Sequence, residues 1–85
     1  MPAKNIHPGE QLAHELEEHG MSAAELARRL KVPAAAIADI LNGRNAITVE
    51  IAVQFAHAFD TSARFWLSLQ SLYDLSQNNH KSARA

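Results

Sequence analysis

MSAAELARRLKVPAAAIADILNGRNAIT, residues 21–48, carries the start and stop signals of two short helices with a tight turn between them. Ser22 is a good N-cap, and Glu25 three residues on completes a capping box. Met21 before the cap and Leu26 after it form the matching hydrophobic staple. Leu26, Ala27 and Leu30 then recur at helical spacing, which gives this helix one apolar stripe to bury. It is expected to end near Leu30, with Lys31 and Val32 in the turn and Pro33 in the first turn of the next helix, where a missing N–H does no harm. Ile37, Ile40 and Leu41 fall at i, i+3 and i+4 and face inward, so Ala35, Asp39 and Asn42 project on the opposite side. Gly43 stops the helix as a C′ residue.

Two short helices joined by a three- or four-residue turn have the geometry of a helix-turn-helix, over residues 22–42. In that motif the second helix lies in a major groove while the first crosses the phosphates. The same spacing fits an ordinary helical hairpin. On the helix-turn-helix reading, Asn42 and Asn45 add hydrogen bonds and Arg44 contacts a phosphate. Arg28 and Lys31 extend this basic side, although Arg28 or Arg29 also has Glu25 within pairing reach.

At 85 residues the chain has room for one domain and one core. Without cysteine, no disulfide framework or thiolate metal site can form, which suits a reducing cytoplasm. No apolar run approaches the ~20 residues that span a bilayer, and the first residues lack the apolar region of a signal peptide, so no membrane association is expected. A net charge of −1 argues against a nucleic-acid partner. Its distribution argues the other way: Arg28, Arg29, Lys31 and Arg44 face only Asp39 over residues 28–44, whereas residues 7–19 hold Glu10, Glu15, Glu17 and Glu18 with no Lys or Arg.

Outside the central stretch, residues 1–5 read as a loose end. A helix opens at His7 with Pro8 at N1 and Glu10 in the first turn, buries Leu12, Ala13 and Leu16, and ends at Gly20. Ile47 and Thr48 are the staple and N-cap of a fourth helix whose Ile51, Ala52, Phe55, Ala56 and Phe59 form a core wall. Residues 60–62 cap a fifth helix that runs to about Ser76, and residues 77–85 read as a polar tail. With no strand signal, the chain is expected to form a compact all-α domain of five helices, its core spanning residues 7–76. Phe65, Trp66, Leu69, Leu72, Tyr73 and Leu75 cover roughly half the circumference of the fifth helix, more than one core-facing stripe requires. The surplus predicts a homodimer interface at Trp66, Leu69 and Tyr73, unless the N-terminal half of this helix is simply buried deeply.

Other chemistry has little support. His7, Glu10 and His14 share a face that Glu17 or Glu18 extends, but such groups on an N-terminal helix read as solvated surface, so no metal or other cofactor is expected. There is no glycine-rich phosphate loop, no cysteine nucleophile and no serine with an evident His and Asp, so no enzyme is expected either.

Taken together, IHPGE at residues 6–10, ELA at 25–27, NGRNAIT at 42–48, TSARFWLSLQ at 61–70 and YDL at 73–75 resemble the lambda-repressor-like (xenobiotic-response-element type) helix-turn-helix family. More narrowly, they resemble the HigA antitoxins, also called virulence-associated protein I. The resemblance implies a dimeric antitoxin that represses its own operon at a palindromic double-stranded operator and neutralises a small, basic, RelE-like ribonuclease toxin. A carboxylate-lined helix complements such a toxin, which places the toxin contact at Glu10, Glu15, Glu17 and Glu18. The departures fall on the reading surface. Ala23 stands where the family commonly has a phosphate-holding glutamine, and Ala34, Ala35 and Asp39 replace long polar readers. Lys31 replaces a turn glycine. DNA binding is therefore expected to lean on backbone contacts and DNA shape.

Overall fold

The computed structural model describes residues 7–82, with side chains through Gln77. In chain order these form α1 (Pro8–Glu18), α2 (Ala23–Leu30), α3 (Ala34–Leu41), α4 (Val49–Phe59) and α5 (Ala63–Ser82), with no strand among the described residues. The expected loose end at 1–5 and the last tail residues, 83–85, lie outside them. Residues 77–82, expected in the polar tail, continue α5 instead. They are polar but contain neither Gly nor Pro, so nothing in them stops a helix.

Four of the five helices start on a side-chain cap that satisfies an otherwise free N–H. His7 Nδ1 accepts from the Gly9 N–H at 2.9 Å, Ser22 Oγ from Glu25 at 3.0 Å, Thr48 Oγ1 from Ile51 at 3.2 Å and Ser62 Oγ from Phe65 at 3.0 Å. Glu25 returns the bond to the Ser22 N–H at 3.1 Å, completing the capping box. The exception is α3, which starts on Pro33 in extended conformation with no side-chain cap. Pro33 thus stands one position before the first helical turn.

The C-terminal ends of α1 to α4 share one solution. Gly20, Lys31, Gly43 and Asp60 all have positive φ, between 57° and 76°. The next N–H in each case donates back to the carbonyl five residues earlier: Met21 to Leu16, Val32 to Ala27, Arg44 to Asp39 and Thr61 to Ala56, at 2.8–3.0 Å. This is the Schellman turn, for which glycine is the unstrained residue. Lys31 carries a Cβ there, so Lys31→Gly is expected to raise the unfolding free energy by roughly 0.5–1 kcal/mol, read as a higher urea midpoint at fixed protein concentration.

The core gathers on Trp66, which is fully buried against Phe55 and Phe59, with ring centroids 5.0 and 6.1 Å away. Its indole N–H donates to Thr61 Oγ1 at 2.8 Å, so even its polar atom is satisfied inside the protomer. The expectation that Trp66 lies at a dimer interface is therefore corrected: a side chain with no exposed surface has none to offer a partner. Leu69 is half-buried against the same core, and half-buried Tyr73 meets the His7 ring edge-on at 4.8 Å. The surplus apolar arc of α5 survives elsewhere, at Phe65, Leu72 and Leu75, of which Leu72 is 63% exposed and Leu75 56%.

Leu12 and Leu16 anchor α1 on the core, whereas Ala13 is exposed and outside the stripe predicted for it. Gly9 fixes how closely α1 approaches α3, because a Cβ at this position would overlap the Ile40 carbonyl oxygen. His7, read from sequence as surface, is instead buried where α1, α5 and the end of α3 meet. No helix among the described residues is long and apolar enough to cross a membrane.

Candidate nucleic-acid interface

The rotation of α3 about its axis is set by Ile37 and Ile40, which are buried and turn the opposite side of the helix outward. That side presents the methyl groups of Ala34 and Ala35, the half-exposed Asp39 carboxylate and the Asn42 amide. Arg44 and Asn45 extend it into the following turn, and both are exposed. Arg28 and Lys31 are exposed at the end of α2. The residues predicted to face DNA all reach solvent. Glu25, offered from sequence as a partner for Arg28 or Arg29, has its carboxylate engaged in the capping box.

The turn after α3 is held from both sides. Its last residue, Ile47, is buried and donates its backbone N–H to Gln70 Oε1 at 2.7 Å, while Gln70 Nε2 donates to Asp74 Oδ1 at 2.9 Å. The His7 ring lies beside Gly43. Thus α1 and α5 pin the segment that carries Arg44 and Asn45, as a preorganised binding surface requires. Sequence reading missed Gln70, although an amide on the inner side of a core-facing helix is a signal of a buried hydrogen bond.

It also missed the pairing of Arg44 with Asp39, whose Nη1 and Oδ1 are 3.9 Å apart. With Gly43 at C′, the Schellman turn stacks the residue after it over the third residue from the helix end, here Arg44 over Asp39. The arginine expected to await a phosphate unpaired is already beside a carboxylate. Their side chains are 73% and 39% exposed, so the pair is weakly held and a phosphate can compete for it.

The acidic residues lie on α1. Glu10, Glu17 and Glu18 are exposed, with Glu18 3.9 Å from His14. Glu15 differs: its side chain is only 15% exposed, accepts from Gln11 Nε2 at 2.9 Å and lies 3.4 Å from His19 Nε2. It is a structural carboxylate more than a free one. Among the described residues no three His, Cys, Asp or Glu side chains converge as a metal site.

A family model described as helix-turn-helix matches residues 12–66. Virulence-associated protein A′ of Dichelobacter nodosus is 40% identical over 72 residues, 84% of this chain, and the chain spans 63% of that protein's length. The solved addiction module antidote protein of the HigA family from Coxiella burnetii is 42% identical with a TM-score of 0.90, the match covering 96% of this chain and 90% of that one. Antitoxin HigA of Pseudomonas aeruginosa, solved with the higBA promoter, is 41% identical with a TM-score of 0.89, covering 95% and 89%. The chain belongs to the helix-turn-helix family, in the branch that holds the virulence-associated proteins and the HigA antitoxins.

Proposed function

We propose that the chain is the antitoxin of a toxin–antitoxin pair: a binding protein of the bacterial cytoplasm, without catalytic role, that represses its own operon and silences a small basic ribonuclease. The observation that carries this reading is the outward face of α3, flanked by Arg28, Lys31 and Arg44, in a chain that matches along nearly its whole length a HigA solved with promoter DNA. Two protomers joined along the outer seam of α5, through Phe65, Leu69, Leu72 and Leu75, present two α3 helices to the half-sites of a palindrome.

The toxin contact belongs on α1, where Glu10, Glu17 and Glu18 form a carboxylate surface complementary to a protein that grips RNA phosphates. Glu15 is left out because Gln11 and His19 already hold it. Co-expression with a small basic ribonuclease of the RelE-like type encoded beside the gene tests this reading: a neighbouring frame of that type is expected, the two chains should co-purify and growth should be restored. Reversing Glu17 and Glu18 to Lys should slow association severalfold at low salt and leave the dimer mass unchanged. Unchanged association kinetics would remove α1 from the interface. A second reading, a module that silences the toxin with vestigial DNA contact, is favoured by the bare methyl groups of Ala34 and Ala35 on the reading face; neutralisation of the toxin by the unaltered protein together with no DNA binding at any salt would support it.

A further inference from the structure

We propose that Asp39 and Arg44 form a specificity latch. In the free protein and on unrelated DNA, Asp39 competes with phosphates for the Arg44 guanidinium, and it yields the guanidinium fully only where its own carboxylate meets a cytosine amino group in the major groove. The inference rests on the DNA-binding reading above and concerns how that face discriminates.

The comparison that carries it lies within the molecule, because four helices end in the same turn. At two of them the residue after the left-handed position is apolar and packs on the core: Met21 after Gly20 and Val32 after Lys31. At a third, Thr61 accepts the Trp66 indole N–H. Only at the end of α3, on the face turned toward DNA, do the stacked positions hold a carboxylate and a guanidinium. So exposed a pair contributes little to folding, and an apolar contact at the same turn serves stability better. Its effect lies in charge: closed, it presents no net charge to a phosphate; opened, it delivers a full cation.

The opening condition follows from chemistry. A carboxylate only accepts hydrogen bonds, and the N7 and O6 of guanine and the O4 of thymine repel it. Cytosine offers N4 as a donor with no acceptor on its own groove edge, unlike adenine, whose N6 neighbours N7; the O6 of the paired guanine is the adjacent acceptor the carboxylate must avoid. Over a cytosine, Asp39 gains a partner and Arg44 is free; over other bases, Asp39 keeps competing for Arg44 and the phosphate contact is weaker. Base reading and backbone anchoring are thereby coupled in a surface whose other readers are methyl groups.

The test uses full-length protein, a duplex enriched by it from a random pool at low salt, and a scrambled duplex of the same composition. Arg44→Ala should weaken the enriched duplex about fivefold or more and the scrambled one less than about twofold. Asp39→Ala should tighten the scrambled duplex, steepen its salt dependence by about one unit of slope, and reduce the ratio between the two duplexes. The enriched pool should carry a C·G pair at one fixed position in each half-site. Equal weakening of both duplexes by Arg44→Ala would make Arg44 a plain phosphate anchor and overturn the latch, as would a pool with no cytosine preference. Enrichment of no duplex at all would bring down the DNA-binding reading itself. Both side chains reach solvent, and an unchanged thermal midpoint for each variant shows that its fold is intact.

Discussion

Trp66→Ala is expected to lower the unfolding free energy by roughly 3–5 kcal/mol, read as a sharp fall in the urea midpoint at fixed protein concentration. A domain of this size holds only about 4–13 kcal/mol in total, so the variant loses much of its margin and is expected to be partly unfolded at physiological temperature. The reason is position: Trp66 packs on both Phe55 and Phe59 and gives Thr61 its hydrogen bond, so truncation leaves a cavity between α4 and α5 that these packed rings cannot collapse to fill. Trp66→Phe should cost distinctly less, because it keeps ring packing and loses only the indole N–H and part of the volume. Equal stability of the alanine variant and the parent would place Trp66 outside the core and return it to the dimer surface.

Leu72→Asp is expected to do the reverse, leaving the protomer folded while abolishing the dimer. At 63% exposure, Leu72 contributes little to its own core, but along the proposed two-fold seam a carboxylate in its place would be desolvated near its own symmetry mate. An unpaired charge in such a place costs several kcal/mol, enough to shift the dissociation constant by about three orders of magnitude. Sedimentation equilibrium at micromolar concentration should give twice the chain mass for the parent and the single chain mass for the variant, with helical circular dichroism unchanged. A monomeric parent would refute the seam. A dimeric variant would move the interface to another face, with exposed Val49 and Val53 of α4 the next apolar surface to examine.

The contrast between these two residues shows where sequence reading reached and where it stopped. All five helices were legible, because Ser22, Thr48 and Ser62 mark three starts, Pro8 a fourth, and Gly20 and Gly43 two ends, each through a local rule. The wide apolar arc of α5 was legible as well. Its division was not: helical spacing puts Trp66 and Leu72 in one arc, and only the packing of Phe55 and Phe59 decides that Trp66 goes inside and Leu72 stays out. His7 was recognised as a helix start, but its burial depends on Tyr73, far along the chain. The Arg44 and Asp39 pair lay within reach of a local rule, since naming Gly43 as C′ already stacks the two. Reading the turn only as a stop signal hid what it brings together.

The central claim is that α3 is a DNA-reading helix presented twice by a dimer. Titrating fluorescently labelled duplex from the promoter of the chain's own operon, at several salt concentrations, tests it most directly. Saturation with two chains per operator site is predicted, with an affinity that falls linearly in log–log form as salt rises and stays well above that for a scrambled duplex. Failure to bind the promoter even at low salt, or equal binding to both duplexes at every salt, would contradict it.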